Sequence, residues 1–195
     1  FIHGSYKVIG SFENNIGKIS FKKKMKEILY ISNVKFDENN KIMPLNQFDH
    51  IVIKKIQELS IDNNLKFNIM GRHKNNKTQL EILYYKKILN NSFNFINKNS
   101  NKDSYKVIKN YEYIFTDYST MGVETLTSGS KVGFIFYKPQ EKKLFDLRLG
   151  QFEGLKSSGP FWTAFYNYNG SEINRVFNFV VKSSNSKWTQ IRKKY

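Results

Sequence analysis

The residues with the most chemistry to offer are gathered in one short run, TDYSTMGVE, Thr116 to Glu124. Asp117 closes an apolar segment on a carboxylate. Ser119 and Thr120 then supply two hydroxyls, Met121 follows, and Gly122 has no side chain to block a close approach. Such residues at the start of a helix suit an anion, because the first-turn N–H groups lack intrahelical acceptors and the helix dipole is positive there. Glu124, one turn in, can reach sugar hydroxyls beside a bound phosphate. A purely structural reading stands beside this one: Ser119 caps the helix, Gly122 packs closely on a sheet, and Glu124 favours the dipole.

A second group is Gly71-Arg72-His73-Lys74, where a guanidinium, an imidazole and an ammonium could neutralise a diphosphate. Arginine suits bidentate phosphate contact and is scarce here, with 4 Arg against 28 Lys. His73 and Lys74 also read simply as a basic surface turn.

The elements that would position these groups follow from periodicity and punctuation. Tyr113 to Asp117 is a short run of β-formers, as in a buried parallel strand reaching the edge of its sheet. Thr120 to Ser128 is helix-length and stops at Gly129, and Val132 to Tyr137 is a second strand, so the unit is β-loop-α-loop-β. Upstream, Tyr6 to Ser11, Glu27 to Ser32, Lys66 to Gly71 and Phe93 to Ile96 read as strands, with a loop at Asn33 to Leu45. From Asn46, a candidate cap, Phe48, Ile51, Val52, Ile56 and Leu59 recur at helical spacing. Thr78 and Glu81 form a T-x-x-E capping box ahead of Leu80, Leu83, Tyr84 and Ile88. A brief helix from Asp103 or Ser104 to Asn110 precedes the central unit. Downstream, Lys138 to Ser158 is polar and without clear period, GPFWT (Gly159 to Thr163) is a proline-fixed aromatic turn, Ser171 opens a helix carrying Ile173, Val176, Phe177 and Val180, and a final helix from about Ser186 carries Trp188. Strands alternating with helices predict an α/β fold, a Rossmann-like three-layer αβα sandwich with a parallel sheet.

Composition narrows the function classes. At 195 residues with 39% hydrophobic and 16% aromatic content the chain can bury one α/β core and has no room for two. The absence of cysteine excludes disulfides, thiolate zinc sites and a cysteine nucleophile, and points to a cytoplasmic setting. No metal site is expected, since His3, His50 and His73 are scattered. Neither G-x-G-x-x-G, a Walker G-K-S/T nor a G-x-S-x-G elbow is present, so Ser119 is not read as a nucleophile. The formal charge of +16, shared among many lysines alongside 23 Asn, attracts polyanions and fits peripheral contact with an anionic membrane surface.

The run TDYSTMGVETLTSGSKVGFIFY resembles the signature of the C-terminal domain of GT-B glycosyltransferases, and more narrowly is similar to bacterial surface-carbohydrate biosynthesis proteins. VIGSFENN (Val8 to Asn15), IMGRHK and GPFWT agree in order and spacing. The resemblance implies the C-terminal half of a GT-B fold: one nucleotide-sugar-binding domain spanning the chain, part of a longer two-domain protein. It implies a nucleotide-activated sugar (CMP-, CDP- or UDP-linked) as donor substrate, no separate cofactor, and a glycan or lipid-linked acceptor, with no specific nucleic acid. It implies donor contacts at Gly10 and Ser11, which otherwise read as a strand-ending turn, and at Arg72, Asp117, Ser119, Thr120, Met121, Gly122 and Glu124, with the catalytic base outside the chain. A CDP-glycerol or CDP-ribitol phosphotransferase has the same fold and a similar T-D-Y-S turn, and a non-enzymatic polyanion-binding domain is suggested by the charge alone. A nucleotide-sugar epimerase needs paired carboxylates and a histidine that the sequence does not place.

Overall fold

The computed structural model describes residues 25–43, 46, 48–74, 76–89, 92–97, 101–117, 119–137 and 157–194. The expected strand at Tyr6 to Ser11, with Gly10 and Ser11, lies outside these residues, as does all of the polar stretch Lys138 to Ser158 except its last two residues.

In chain order the elements are β1 (Met25–Ile31), α1 (Asp49–Asp62), β2 (Phe67–Met70), α2 (Asn76–Leu89), β3 (Asn94–Ile96), α3 (Asn101–Ile108), β4 (Tyr111–Thr116), α4 (Thr120–Thr127), β5 (Lys131–Tyr137), β6 (Ser158–Gly159), β7 (Trp162–Phe165), α5 (Gly170–Lys182) and α6 (Asn185–Arg192). They form a seven-stranded sheet of order β3-β2-β1-β4-β5-β7-β6. Its ladders are parallel from β3 through β7, and only the two-residue β6 runs antiparallel, against β7. The first six positions follow the doubly wound pattern, in which strand order reverses between β1 and β4. The expected Rossmann-like αβα architecture is therefore present.

Strand residues face alternate sides of the sheet, so the two helix layers can be read from their contacts. Phe115 of β4 stacks on Phe177 of α5 with ring centroids 5.3 Å apart, while Tyr85 of α2 meets Phe95 of β3 at 6.2 Å. On the opposite face Gly122 of α4 lies against Thr116 and Phe134. The core runs between: Ile28, Leu29, Ile69, Ile114, Phe115, Val132, Phe134, Val176 and Phe177 are fully buried. Such runs of apolar residues on both faces suit strands covered on both sides.

Several boundaries differ from the sequence expectation, each for a tertiary reason. α1 begins at Asp49 with Phe48 in the N-cap position, and Asn46 does not cap it. Asn46 is instead fully buried, donating to Asn33 O (3.2 Å) and Asp49 Oδ2 (2.6 Å). The capping box at Thr78 and Glu81 does not form. α2 has already started at Asn76, the Thr78 hydroxyl donates to His73 O, and Glu81 points into the protein. Gly159 to Thr163 is more than a turn: Pro160 and Phe161 join two strands, and Trp162 opens β7. Ser171 does not cap α5, because the Asn169 side chain accepts from the Glu172 amide and occupies that position.

Candidate functional site

The carboxyl ends of β1, β2 and β4 meet at the point where strand order reverses, which is where open α/β sheets bind ligands. From β4 the chain passes through Asp117 to Ser119, the N-cap of α4, whose backbone is extended (φ −67°, ψ 127°) and whose side chain makes no capping hydrogen bond. Ser119 is half-buried and Thr120 exposed, so this helix start opens outward. Gly122 N–H is committed, donating to Ser119 O at 2.9 Å, as does Val123 N–H at 3.3 Å. The amides left to serve an anion at the first turn are those of Thr120 and Met121.

Gly122 has a packing role. A Cβ there would stand 2.7 Å from Thr116 Cγ2 and 3.1 Å from the Phe134 ring, so its absence lets α4 sit close on the sheet. Gly129 ends the helix with φ +98°, the left-handed conformation that glycine adopts freely. Arg192 of α6 donates to Leu126 O at 3.2 Å, placing a cation at the same helix end. Glu124 accepts a hydrogen bond from the Tyr105 hydroxyl of α3.

Arg72, just past β2, is exposed, and its Nη1 donates to Asn33 Oδ1 at 2.5 Å. Asn33, just past β1 and buried, donates through Nδ2 to Asp117 Oδ2 at 3.4 Å. The chain Arg72-Asn33-Asp117 thus crosses the carboxyl edge from β2 over β1 to β4. Asp117 is itself buried, so it works from beneath the crevice.

Under this edge lies a polar cluster that periodicity does not reveal. The fully buried Glu81 carboxylate accepts from the amides of Arg72 and His73, both at 3.0 Å, and also from the Ser32 hydroxyl. Ser32 Oγ in turn accepts from the Tyr85 hydroxyl at 2.7 Å. Burial pushes the Tyr85 phenol well above its ordinary value, so it remains a donor. His73 Nε2 lies 2.9 Å from Val34 O, and burial lowers this imidazole below its usual 6.5 although Glu81 pulls the other way. Asn33 and Glu81 are the residues that sequence patterns missed. The available signal was that polar residues end two consecutive apolar strands, Ser32-Asn33 and Arg72-His73, and need buried partners.

The structure therefore brings Arg72, Asp117, Ser119, Thr120, Met121 and Gly122 to one edge, with Glu124 one turn into α4. An open depression of about 640 Å³ at the opposite edge, lined by Glu27, Ile61, Phe67, Asn68, Phe93 and Tyr111 among others, holds none of them. Among the described residues no group of three or more His, Cys, Asp or Glu side chains could hold a metal ion. No helix there is long and apolar enough to cross a membrane.

The family model described as "putative O-antigen biosynthesis protein" matches residues 1–195, the whole chain. The chain belongs to that family. This agrees with the surface-carbohydrate proteins that the TDYSTMGVE run resembles. No curated protein matches the chain. Among solved structures, the Escherichia coli heptosyltransferase WaaC with ADP-2-deoxy-2-fluoro heptose aligns with 87% of this chain and 43% of its own, at 6% identity and a TM-score of 0.44. The O-antigen family member thus spans less than half the length of that enzyme.

Proposed function

We propose that this chain is the donor-binding domain of a GT-B-type glycosyltransferase that moves a sugar from a nucleotide-activated donor onto a glycan or lipid-linked acceptor in O-antigen assembly. The observation that carries the reading is the start of α4. It opens at the carboxyl edge of the switch point, with a Ser119 hydroxyl not spent on capping and the Thr120 and Met121 amides in the first turn. Membership of the O-antigen biosynthesis family supports the polymer class.

In this reading the donor's phosphates lie across the α4 start, with Arg72 meeting them from the β2 side. Groups fixed in advance at that position stabilise the charge that develops on the leaving nucleotide as the glycosidic bond breaks. Asn33 and Asp117 hold Arg72 from below, and Glu124, held by Tyr105, faces the ribose hydroxyls. The general base and acceptor pocket belong to a second domain. The lysine-rich surface serves peripheral contact with anionic membrane, where a lipid-linked acceptor would be met.

Thermal unfolding of the chain with CMP, CDP, UDP or GDP tests the reading. One of these nucleotides should raise the midpoint in proportion to the logarithm of its concentration, and Ser119→Ala and Arg72→Ala should each diminish that rise. Protection by none of the four, or protection unchanged in both variants, would contradict it.

A further inference from the structure

Arg72 has a long, flexible side chain on an exposed loop, yet its surroundings leave that loop little freedom. Glu81 is the reason. Its carboxylate, with no solvent exposure, takes three hydrogen bonds from two loops: the Ser32 hydroxyl at the end of β1, and the Arg72 and His73 amides after β2. The same two loops are tied above it by Arg72 to Asn33 (2.5 Å) and His73 to Val34 (2.9 Å). Gly71 permits the close crossing, since a Cβ there would stand 2.5 Å from Phe95 Cζ and 3.1 Å from Glu81 Oε2.

We infer that Glu81 is the positioning residue for Arg72: by joining the β1 and β2 loops beneath the crevice it fixes the guanidinium where a diphosphate would bind. The inference rests on the donor-site reading for its ligand, but the loop geometry stands on the contacts alone. Glutamine cannot replace Glu81, because in either orientation its NH2 group would face a main-chain N–H, that of Arg72 at one oxygen position and that of His73 at the other, where an acceptor is required. A group held through two main-chain amides also transmits its position to the Arg72 backbone, which no surface partner of the guanidinium could do.

The test pairs a ligand-free readout with a binding one. In amide hydrogen exchange, Glu81→Gln should accelerate Arg72 and His73 by at least about tenfold while Ile69 within β2 keeps its protection. In titrations with CDP and with inorganic pyrophosphate, Glu81→Gln should weaken binding on the order of tenfold, the cost of misplacing one charged contact. Arg72→Ala should then cause no further loss in the Glu81→Gln background, whereas alone it weakens binding as much. Gly71→Ala, which leaves Glu81 in place but presses on Phe95 and on the carboxylate beside it, should likewise accelerate Arg72 and His73 should Glu81→Gln fold poorly. Unchanged exchange at Arg72 and His73, a uniform rise across the sheet, or losses that multiply in the double variant would each overturn the inference. Absence of binding by the unsubstituted chain to both probes would count against the donor-site reading, and the exchange pattern would still decide the role of Glu81 in fixing the loop.

Discussion

Arg72 Nη1 lies 2.5 Å from Asn33 Oδ1, a contact between the ends of two neighbouring parallel strands that draws a surface cation from β2 over the end of β1. Asn33 passes this on to Asp117 at 3.4 Å. Replacing Asn33 with leucine, of similar volume, should release Arg72 and remove a donor from a buried carboxylate. A loss of about 1–3 kcal/mol in chemical denaturation is expected from the unsatisfied group. Arg72→Ala should cost far less stability, since it leaves no charge buried.

Two glycines of the central unit should fail for different reasons. Gly122→Ala places a methyl group 2.7 Å from Thr116 Cγ2, so α4 must lift from the sheet, at about 1–3 kcal/mol. Gly129→Ala meets nothing within 4 Å but must adopt φ +98°, costing about 1–2 kcal/mol. Anion binding separates them in titrations: it should suffer in Gly122→Ala, which moves the helix start, and persist in Gly129→Ala.

At the far end of the sheet Arg175 clamps the β6–β7 hairpin, donating to Gly159 O, Trp162 O and Ser158 Oγ while forking onto Glu172. The Arg175 hydrogen bonds, with those from Ser158 and Thr163, hold the Glu172 carboxyl at about 2, against an ordinary 4.5. A depressed carboxyl stabilises the fold above its unfolded value, and that contribution fades as pH falls from about 4.5 toward 2. Denaturation midpoints measured through this window should fall less steeply in Glu172→Gln, which has no carboxyl to titrate.

His73 gives a second pH effect of defined sign. Its folded-state value is lowered from 6.5 by burial, so the imidazole is neutral at pH 7. Protonation then costs stability as pH drops below 6.5 through the folded value, and it adds positive charge beside Arg72. An NMR titration of His73 should report a value under 6.5, and pyrophosphate affinity should rise as pH falls through it. His73→Gln should flatten that rise.

What was legible in the sequence is what local chemistry decides. The unit from β4 to β5 could be read because its strands are continuous apolar runs, and because Ser119 and Gly129 punctuate the helix between them by short-range rules. Misreadings arose where a distant partner claimed a residue. Asn46 has the composition of a cap, yet Asn33 and Asp49 hold its side chain. Glu81 sits at the capping-box spacing, yet its carboxylate serves two loops contributed by other strands. Trp162 and Thr163 read as the end of a turn because Gly159 and Pro160 precede them; only pairing with β5 makes them the start of a strand. Asn33 looked like one polar loop residue among several, and its role exists only once β2 and β4 flank β1.

Thr120→Pro asks whether main-chain amides at the start of α4 grip the donor's phosphates. Proline is well tolerated at the first helical position, and Ser119, at φ −67° and ψ 127°, already has the extended backbone that a following proline requires. The substitution should leave the unfolding midpoint nearly unchanged while deleting one amide donor. In calorimetric titration with the nucleotide that protects the unsubstituted chain, affinity should be weaker by about tenfold or more, the worth of one hydrogen bond to a charged group. Affinity equal to that of the unsubstituted chain, with the fold intact, would contradict it.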